Sequence, residues 1–218
     1  ICEKPLVLDP ADIDLLEAVQ TETGQRVRSI LQLRLHPTIL ELRGAVLAAP
    51  DRTFDVDLTY ITSRGPWYMR SWKGDDRRSG GIAVNIGVHL FDMLGFVFGA
   101  PRELAVYHRD AATVSGYMEF ERARVRWLLS LDDSLIPPDA RAEGARTFRA
   151  VSYDGAELEF SDGFNDLHTR CYEDVLQDGG FAPAENRAAI EIVERIREVA
   201  VSVAPSGVAH RFLEKISA

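Results

Sequence analysis

Between Ile82 and Phe98 the chain is apolar except for Asn85, His89 and Asp92. At about 100° per residue these three fall within an arc of roughly 60° on a helix. An imidazole, an amide and a carboxylate on one narrow stripe could accept a proton, hold a hydroxyl and orient the imidazole. A helix that is apolar on its other sides has to be buried, and polar groups buried with it must pair or line a cavity. The stripe is therefore either a core histidine held by Asp92 or a backbone carbonyl, or a site. Its three members, and Gly80-Gly81 ahead of it where a backbone or ligand can come close, favour the site.

The flanking sequence supplies the elements that would hold this helix. Asp9-Pro10-Ala11-Asp12 predicts a helix start with Asp9 as N-cap and Pro10 at the first position. Ile13, Leu16 and Val19 form its inner face and Gly24 its end. Residues 26–35 are rich in strand formers between Gly24 and Pro37 and predict a strand ending on Arg34 and His36. A short helix is expected over 38–48, and a half-buried strand over 54–62 with Phe54, Val56, Leu58 and Tyr60 on one face. Residues 63–79 read as a long loop carrying three aromatic rings and five cations.

Beyond the central helix, 102–109, 113–121 and 123–132 predict an antiparallel meander, the last strand alternating through Val125, Trp127, Leu129 and Leu131. Residues 133–144, with Pro137-Pro138, read as an exposed excursion. Strands at 146–153 and 156–160 flank the hairpin signal Asp154-Gly155. Helices are expected at 166–177 and 184–203, the second with Ala188, Ile192, Ile196 and Val199 inward. The sum is an α+β fold, one open, mainly antiparallel sheet with helices on one face.

The 218 residues are 46% hydrophobic and 27% charged, an ordinary globular balance. A net charge of −9 argues against a nucleic-acid surface while leaving room for local anion sites. Cys2 and Cys171 form no metal or redox spacing, which suits a reducing cytoplasm. No signal-peptide pattern opens the chain. The apolar run 82–98 is short for a membrane span and carries His and Asp, so no membrane role is expected. Ile-Cys-Glu-Lys-Pro starts without Met, as if continuing from a longer protein.

Glu3-Lys4-Pro5, a helix, and later Gly80-Gly81-(x)3-Asn85-x-Gly87-x-His89-x-x-Asp92 resemble the Gfo/Idh/MocA family of NAD(P)-dependent sugar oxidoreductases. The likeness runs from Glu3 onward and includes the segment Asn186-Arg187-Ala188-Ala189-Ile190-Glu191. Within the family, Gln32-Leu33-Arg34-Leu35-His36-Pro37, Trp72-Lys73-Gly74, Asn85-Ile86-Gly87-Val88-His89 and Asp166-Leu167-His168-Thr169 look most like the WlbA-type UDP-N-acetylglucosaminuronate 3-dehydrogenases of bacterial O-antigen (lipopolysaccharide) synthesis.

The resemblance implies a dihydrodipicolinate-reductase-like substrate and oligomerisation domain over 9–218, with residues 1–8 closing a Rossmann domain. No two glycines stand at G-x-G spacing, so the turn that brings a helix N-terminus to a pyrophosphate is missing and the chain alone should be inactive. NAD is the implied cofactor, with NADP open. By resemblance His89 is the catalytic base, and Lys4, with Pro5 beside it, bridges substrate hydroxyl and cofactor; without the family, Lys4 reads as a surface lysine. Asn85 stands where many members carry Asp, so it can orient a hydroxyl but not share its proton. Asp92 is read as structural.

A UDP-sugar uronate needs cations and a stacking surface. Arg34, Lys73 and Arg78 are candidates for its anions, Trp67, Tyr68 and Trp72 for stacking, and His168 for a lesser contact. Each could equally belong to a solvated basic loop. A homodimer or tetramer through an apolar sheet face is implied. A metal site from His36, His89 and His168 lacks ligand spacing and is not expected. The other readings are a different sugar or inositol dehydrogenase of the family, or a non-catalytic binding or oligomerisation module.

Overall fold

The computed structural model describes residues 1–158 and 166–216. Asp9 opens the first helix as expected: its carboxylate accepts from the Ala11 N–H at 2.8 Å, α1 runs Ala11–Thr23, and Gly24 closes it in the left-handed region. Of the predicted inner face only Ile13 is buried, and Val19 is 45% exposed.

The strand expected over 26–35 does not form. Ser29 makes single bridges, parallel to Cys2 and antiparallel to Phe181, and Gln32–Leu35 winds into a 3-10 turn. A ladder needs a partner along several residues, and here each neighbour offers one. The turn also buries Leu33 and aims Arg34 inward. Next come α2 (Pro37–Ala48) and β1 (Phe54–Thr62).

Residues 63–79 are not a loop. They fold as α3 (Pro66–Arg70), a 3-10 turn Trp72–Gly74, and α4 (Asp76–Ser79). Local capping explains this: Ser71 Oγ accepts from the Lys73 N–H and Asp75 Oδ1 from the Arg77 N–H. Gly80 and Gly81, both at positive φ, lead into a π turn Ala83–Gly87 that runs on as α5 (Val88–Phe98).

The meander forms as β2 (Pro101–Arg109), β3 (Thr113–Phe120) and β4 (Ala123–Ser130). The excursion after it is less exposed than expected, since Leu135 and Ile136 are buried with Ile61, Leu128 and Phe212 around a 3-10 turn and α6 (Pro138–Ala142). β5 (Thr147–Tyr153) and β6 (Ala156–Leu158) pair through Asp154-Gly155, both at positive φ, as the turn signal required. Positions 159 and 160 of the predicted strand lie outside the described residues. α7 (Leu167–Leu176), α8 (Arg187–Glu198) and α9 (Leu213–Ile216) complete the chain. α8 is shorter than predicted, with Ala189 in place of Ala188 inside, and Val201 leaves it to bridge Val106.

The six strands lie in the order β2-β3-β4-β1-β5-β6, antiparallel except for β1 beside β4. Register puts Val56, Leu58 and Tyr60 level with Val125, Trp127 and Leu129 on the helical side. Phe91 of α5 meets Trp127 edge to face at 5.5 Å. Gly87 permits that approach, because a Cβ there would lie 2.5 Å from Leu129 Cδ1. Asp76–Phe98 has the length and apolarity of a membrane span, but 78% of its apolar window is buried within the fold.

The opposite sheet face is not the apolar surface expected. It carries the Asp57–Arg126 pair at 2.6 Å, and the Tyr117 hydroxyl donates to Glu119 at 2.7 Å. Its other half is covered by the C-terminal segment, where buried His210 meets Thr59 Oγ1 at 3.0 Å and accepts the Phe212 N–H on Nδ1. With the backbone donor on Nδ1, Nε2 carries the proton toward Thr59; burial holds the His210 pKa down at about 4.

Candidate active site

The polar stripe of α5 divides into two parts. Asn85 and His89 stay half-buried, whereas Asp92 lies in the interior. Arg34 reaches Asp92 from the 3-10 turn with two donors, Nη2 at 2.6 Å and Nε at 3.0 Å, and also donates to the carboxylate and carbonyl of Glu185. The rings of Phe96 and Phe181 lie 5.3 and 5.2 Å from the same guanidinium. The anion Arg34 meets is thus one of the chain's own. Asp92 is structural, and burial lifts its pKa despite Arg34.

Asn85 sits in the π turn, a widened turn that often marks a functional helix. Its amide nitrogen donates to Gly81 O at 2.9 Å and Lys73 O at 3.3 Å, which orients the side chain. Lys4 Nζ donates to Asn85 O at 3.3 Å, bringing the Glu-Lys-Pro segment to the stripe; the Lys4–Pro5 peptide is cis. Burial, then Arg64, push the Lys4 pKa down to about 8. Lys4, Pro5, Val88 and His89 line one small crevice.

His89 stacks edge to face on Tyr60, ring centroids 6.4 Å apart. Its Nδ1 is shut in without a hydrogen-bond partner among the described residues, which leaves Nε2 as the nitrogen a ligand can reach. Burial, then Lys4, Arg149 and Arg64, hold its pKa well below the ordinary histidine value, so the ring is neutral near pH 7.

The folded 63–79 segment packs against the Asn85 end of this edge through the Lys73 carbonyl. Lys73 Nζ lies 5.9 and 5.8 Å from the rings of Trp67 and Trp72, both half-exposed. Tyr68 is 3% exposed, and its hydroxyl has no hydrogen-bond partner among the described residues. It lines a cleft of about 420 Å³ with Arg64, Met69, Leu131 and Asp132. A wider cleft of about 500 Å³ lies at the far end of α5 among Arg43, Phe96, Glu121 and Arg122, without Lys4, Asn85 or His89.

Two predicted contacts stand apart. Arg78 is exposed on α4. His168 is half-exposed and faces Glu3 at 3.4 Å. Sequence reasoning missed Tyr60 and Arg149, which are cross-strand partners in the β1–β5 register on the helical side. An arginine at an inward strand position was the available signal. No group of three metal-ligating side chains occurs among the described residues.

Residues 52–139 match the family model of the oxidoreductase family, C-terminal alpha/beta domain. The WlbA (WbpB) dehydrogenase of Thermus thermophilus, seen with NAD and α-ketoglutarate, is 44% identical over 96% of this chain and 68% of its own, with a TM-score of 0.92. The chain belongs to the Gfo/Idh/MocA oxidoreductase family. In that family it is also similar to the Thermus enzyme seen with NAD and UDP-GlcNAcA, 43% identical over 96% of this chain and 67% of that one, TM-score 0.90. The WlbA dehydrogenase of Bordetella pertussis shares the fold at 15% identity, over 94% of this chain and 71% of that one, TM-score 0.70. The expected fold, an open sheet with a helical layer, is therefore the family's C-terminal domain.

Proposed function

We propose that this chain is the substrate side of an NAD-dependent dehydrogenase that oxidises the 3-hydroxyl of UDP-N-acetylglucosaminuronate, in the cytoplasmic synthesis of O-antigen sugars. The observation that supports it is the convergence of Lys4, Asn85 and His89 in a chain 43% identical to a dehydrogenase seen with that nucleotide sugar. Residues 1–8 would close the cofactor domain and 9–218 form the substrate and oligomer domain.

Each side chain then has a part. Neutral His89 accepts the carbinol proton at Nε2. Lys4, with its lowered pKa, holds the carbinol oxygen and favours the developing alkoxide. The Asn85 amide nitrogen already donates twice to the backbone, so its Oδ1 is the atom left to accept from a second hydroxyl of the sugar, beside the one that His89 deprotonates. Trp67, Trp72 and Lys73 offer the ring faces and charge that uracil and diphosphate need, with Tyr68 in the cleft beside them and Arg78 and His168 at its margin.

The residues fit the reacting end of NAD: a half-buried lysine next to a neutral imidazole in one crevice. NAD bound there would supply the hydride acceptor, and Lys4 and Pro5 are the residues of this chain that would touch it. Its pyrophosphate finds no glycine-rich turn among these residues. The 218 residues alone are therefore expected to bind no NAD in calorimetry, whereas joined in frame to a dinucleotide-binding domain they should form NADH with UDP-N-acetylglucosaminuronate. Micromolar NAD binding by the chain alone would overturn the division of labour. NADH formation with another sugar or an inositol, and none with this one, would overturn the substrate.

The charged half of the open sheet face would carry a homodimer or tetramer, through paired polar groups such as Asp57 and Arg126 in place of an apolar patch. Light scattering that finds only monomer at micromolar concentration would count against it.

A further inference from the structure

The cleft of about 500 Å³ at the far end of α5 takes no part in the chemistry above, yet it holds charges that the fold does not use. Arg34 is engaged with Asp92 and Glu185, and Arg122 donates to the carbonyls of Ala49 and Arg52. Two side chains of opposite sign are left. Half-buried Arg43 lies over the face of Phe96, 4.0 Å from the ring centroid, and has no hydrogen bond or ion pair among the described residues. The Glu121 carboxylate has none either, and the two line one cleft without pairing with each other.

Much of the remaining lining is apolar, with Val46, Leu47, Phe96 and Ala188. Leu47 is 65% exposed, so a ligand seated there would cover an apolar side chain that the fold leaves in water. Gly95 stands within α5, where glycine weakens a helix, and a Cβ there would meet nothing within 4 Å. Bare backbone thus sets the helical wall of the cleft back by a side chain. At Gly99 a Cβ would run into the Glu121 carboxylate, so that glycine lets Glu121 fold in over the end of α5. The volume lies in the range of small-molecule sites.

We propose that this cleft binds a free α-amino acid with an apolar side chain, its carboxylate on Arg43, its ammonium on Glu121 and its side chain against Leu47 and Phe96. Two unpaired charges of opposite sign in one cleft call for a zwitterion: a plain carboxylic acid would leave Glu121 facing a like charge, and a plain amine would do the same to Arg43. A guanidinium stacked on a ring keeps its in-plane N–H donors for a carboxylate, and the ring holds it in place before the ligand arrives. The inference does not depend on the sugar-nucleotide reading, since the cleft contains neither Lys4, Asn85 nor His89.

The test is calorimetry with L-phenylalanine, 3-phenylpropionate and phenethylamine on the unaltered chain, Arg43→Met, Glu121→Gln and Gly95→Leu, with thermal unfolding of each. L-Phenylalanine should bind saturably and at least about 10-fold more tightly than either singly charged probe. Arg43→Met and Glu121→Gln should each weaken it about 10-fold or more. Gly95→Leu fills the cleft while favouring the helix, so it should abolish binding with no fall in melting temperature. No saturable binding up to about 10 mM, an affinity far below that of ordinary metabolite sites, would overturn the proposal. So would 3-phenylpropionate binding as tightly as the amino acid, or binding that survives Gly95→Leu. If Arg43→Met or Glu121→Gln unfolds, Gly95→Leu and the comparison of the three probes on the unaltered chain decide.

Discussion

Replacing His89 by asparagine is expected to lower turnover of the complete, cofactor-binding protein at least about 100-fold, with little change in substrate affinity. Asparagine keeps much of the size and some of the hydrogen bonding of the imidazole but cannot take a proton. The environment supports this: a half-buried ring held neutral by burial and nearby cations, with only one nitrogen open to a ligand. A core histidine would behave differently. His89→Asn would then lower the melting temperature and leave the activity of the folded fraction intact, so both quantities should be measured on one preparation. Lys4 adds a pH signature. With a pKa near 8, and as the cation that favours the alkoxide, Lys4 should make turnover fall as pH rises through that value. Lys4→Met should flatten that limb near pH 8 as well as damage turnover; a limb that rises there would overturn the role of the charged lysine.

The largest effect on stability is expected at the junction of Arg34 and Asp92. Their side chains are 11% and 3% exposed, so removing one partner leaves the other charge buried. Arg34→Met should cost about 3 kcal/mol or more in urea unfolding. The cost arises from the stranded carboxylate, not from the net worth of the pair, because burial already raises the Asp92 pKa against Arg34. The double substitution Arg34→Met with Asp92→Leu should therefore recover much of the loss. A cost below about 1 kcal/mol for Arg34→Met would show that water reaches Asp92 and that the junction is not dry. Since Arg34 ties its own 3-10 turn, α5 and the turn Pro183–Asn186 ahead of α8 together, a loosened α5 should also be visible as weaker substrate binding.

Much of the architecture was legible because periodicity and turn chemistry are local. The alternation in β1 and β4, the Asp154-Gly155 hairpin, the Asp9 cap and the Gly24 stop all act within a few residues, and each stands where the sequence placed it. The stripe of Asn85, His89 and Asp92 was equally visible, since three polar groups in an apolar helix need no tertiary information to stand out. Residues 26–35 failed as a strand for the opposite reason: strand propensity is realised only when a neighbouring backbone runs alongside, and Ser29 finds one bridged residue on each side. The helices within 63–79 were hidden by their shortness, although Ser71 and Asp75 carried the caps.

What the stripe does was decided by distant parts of the chain. No local rule says that Arg34, 58 residues away, takes Asp92 out of the site, or that Lys4, 81 residues away, enters it. Tyr60 and Arg149 meet only through strand register, and only the packing of β1 against α5 sets the Tyr60 ring edge-on to His89, whose pKa burial lowers. Residue types along a helix determine which chemistry is possible. Burial and the sign of the surrounding charge, which depend on the packing of the whole chain, determine which of those groups can carry it out.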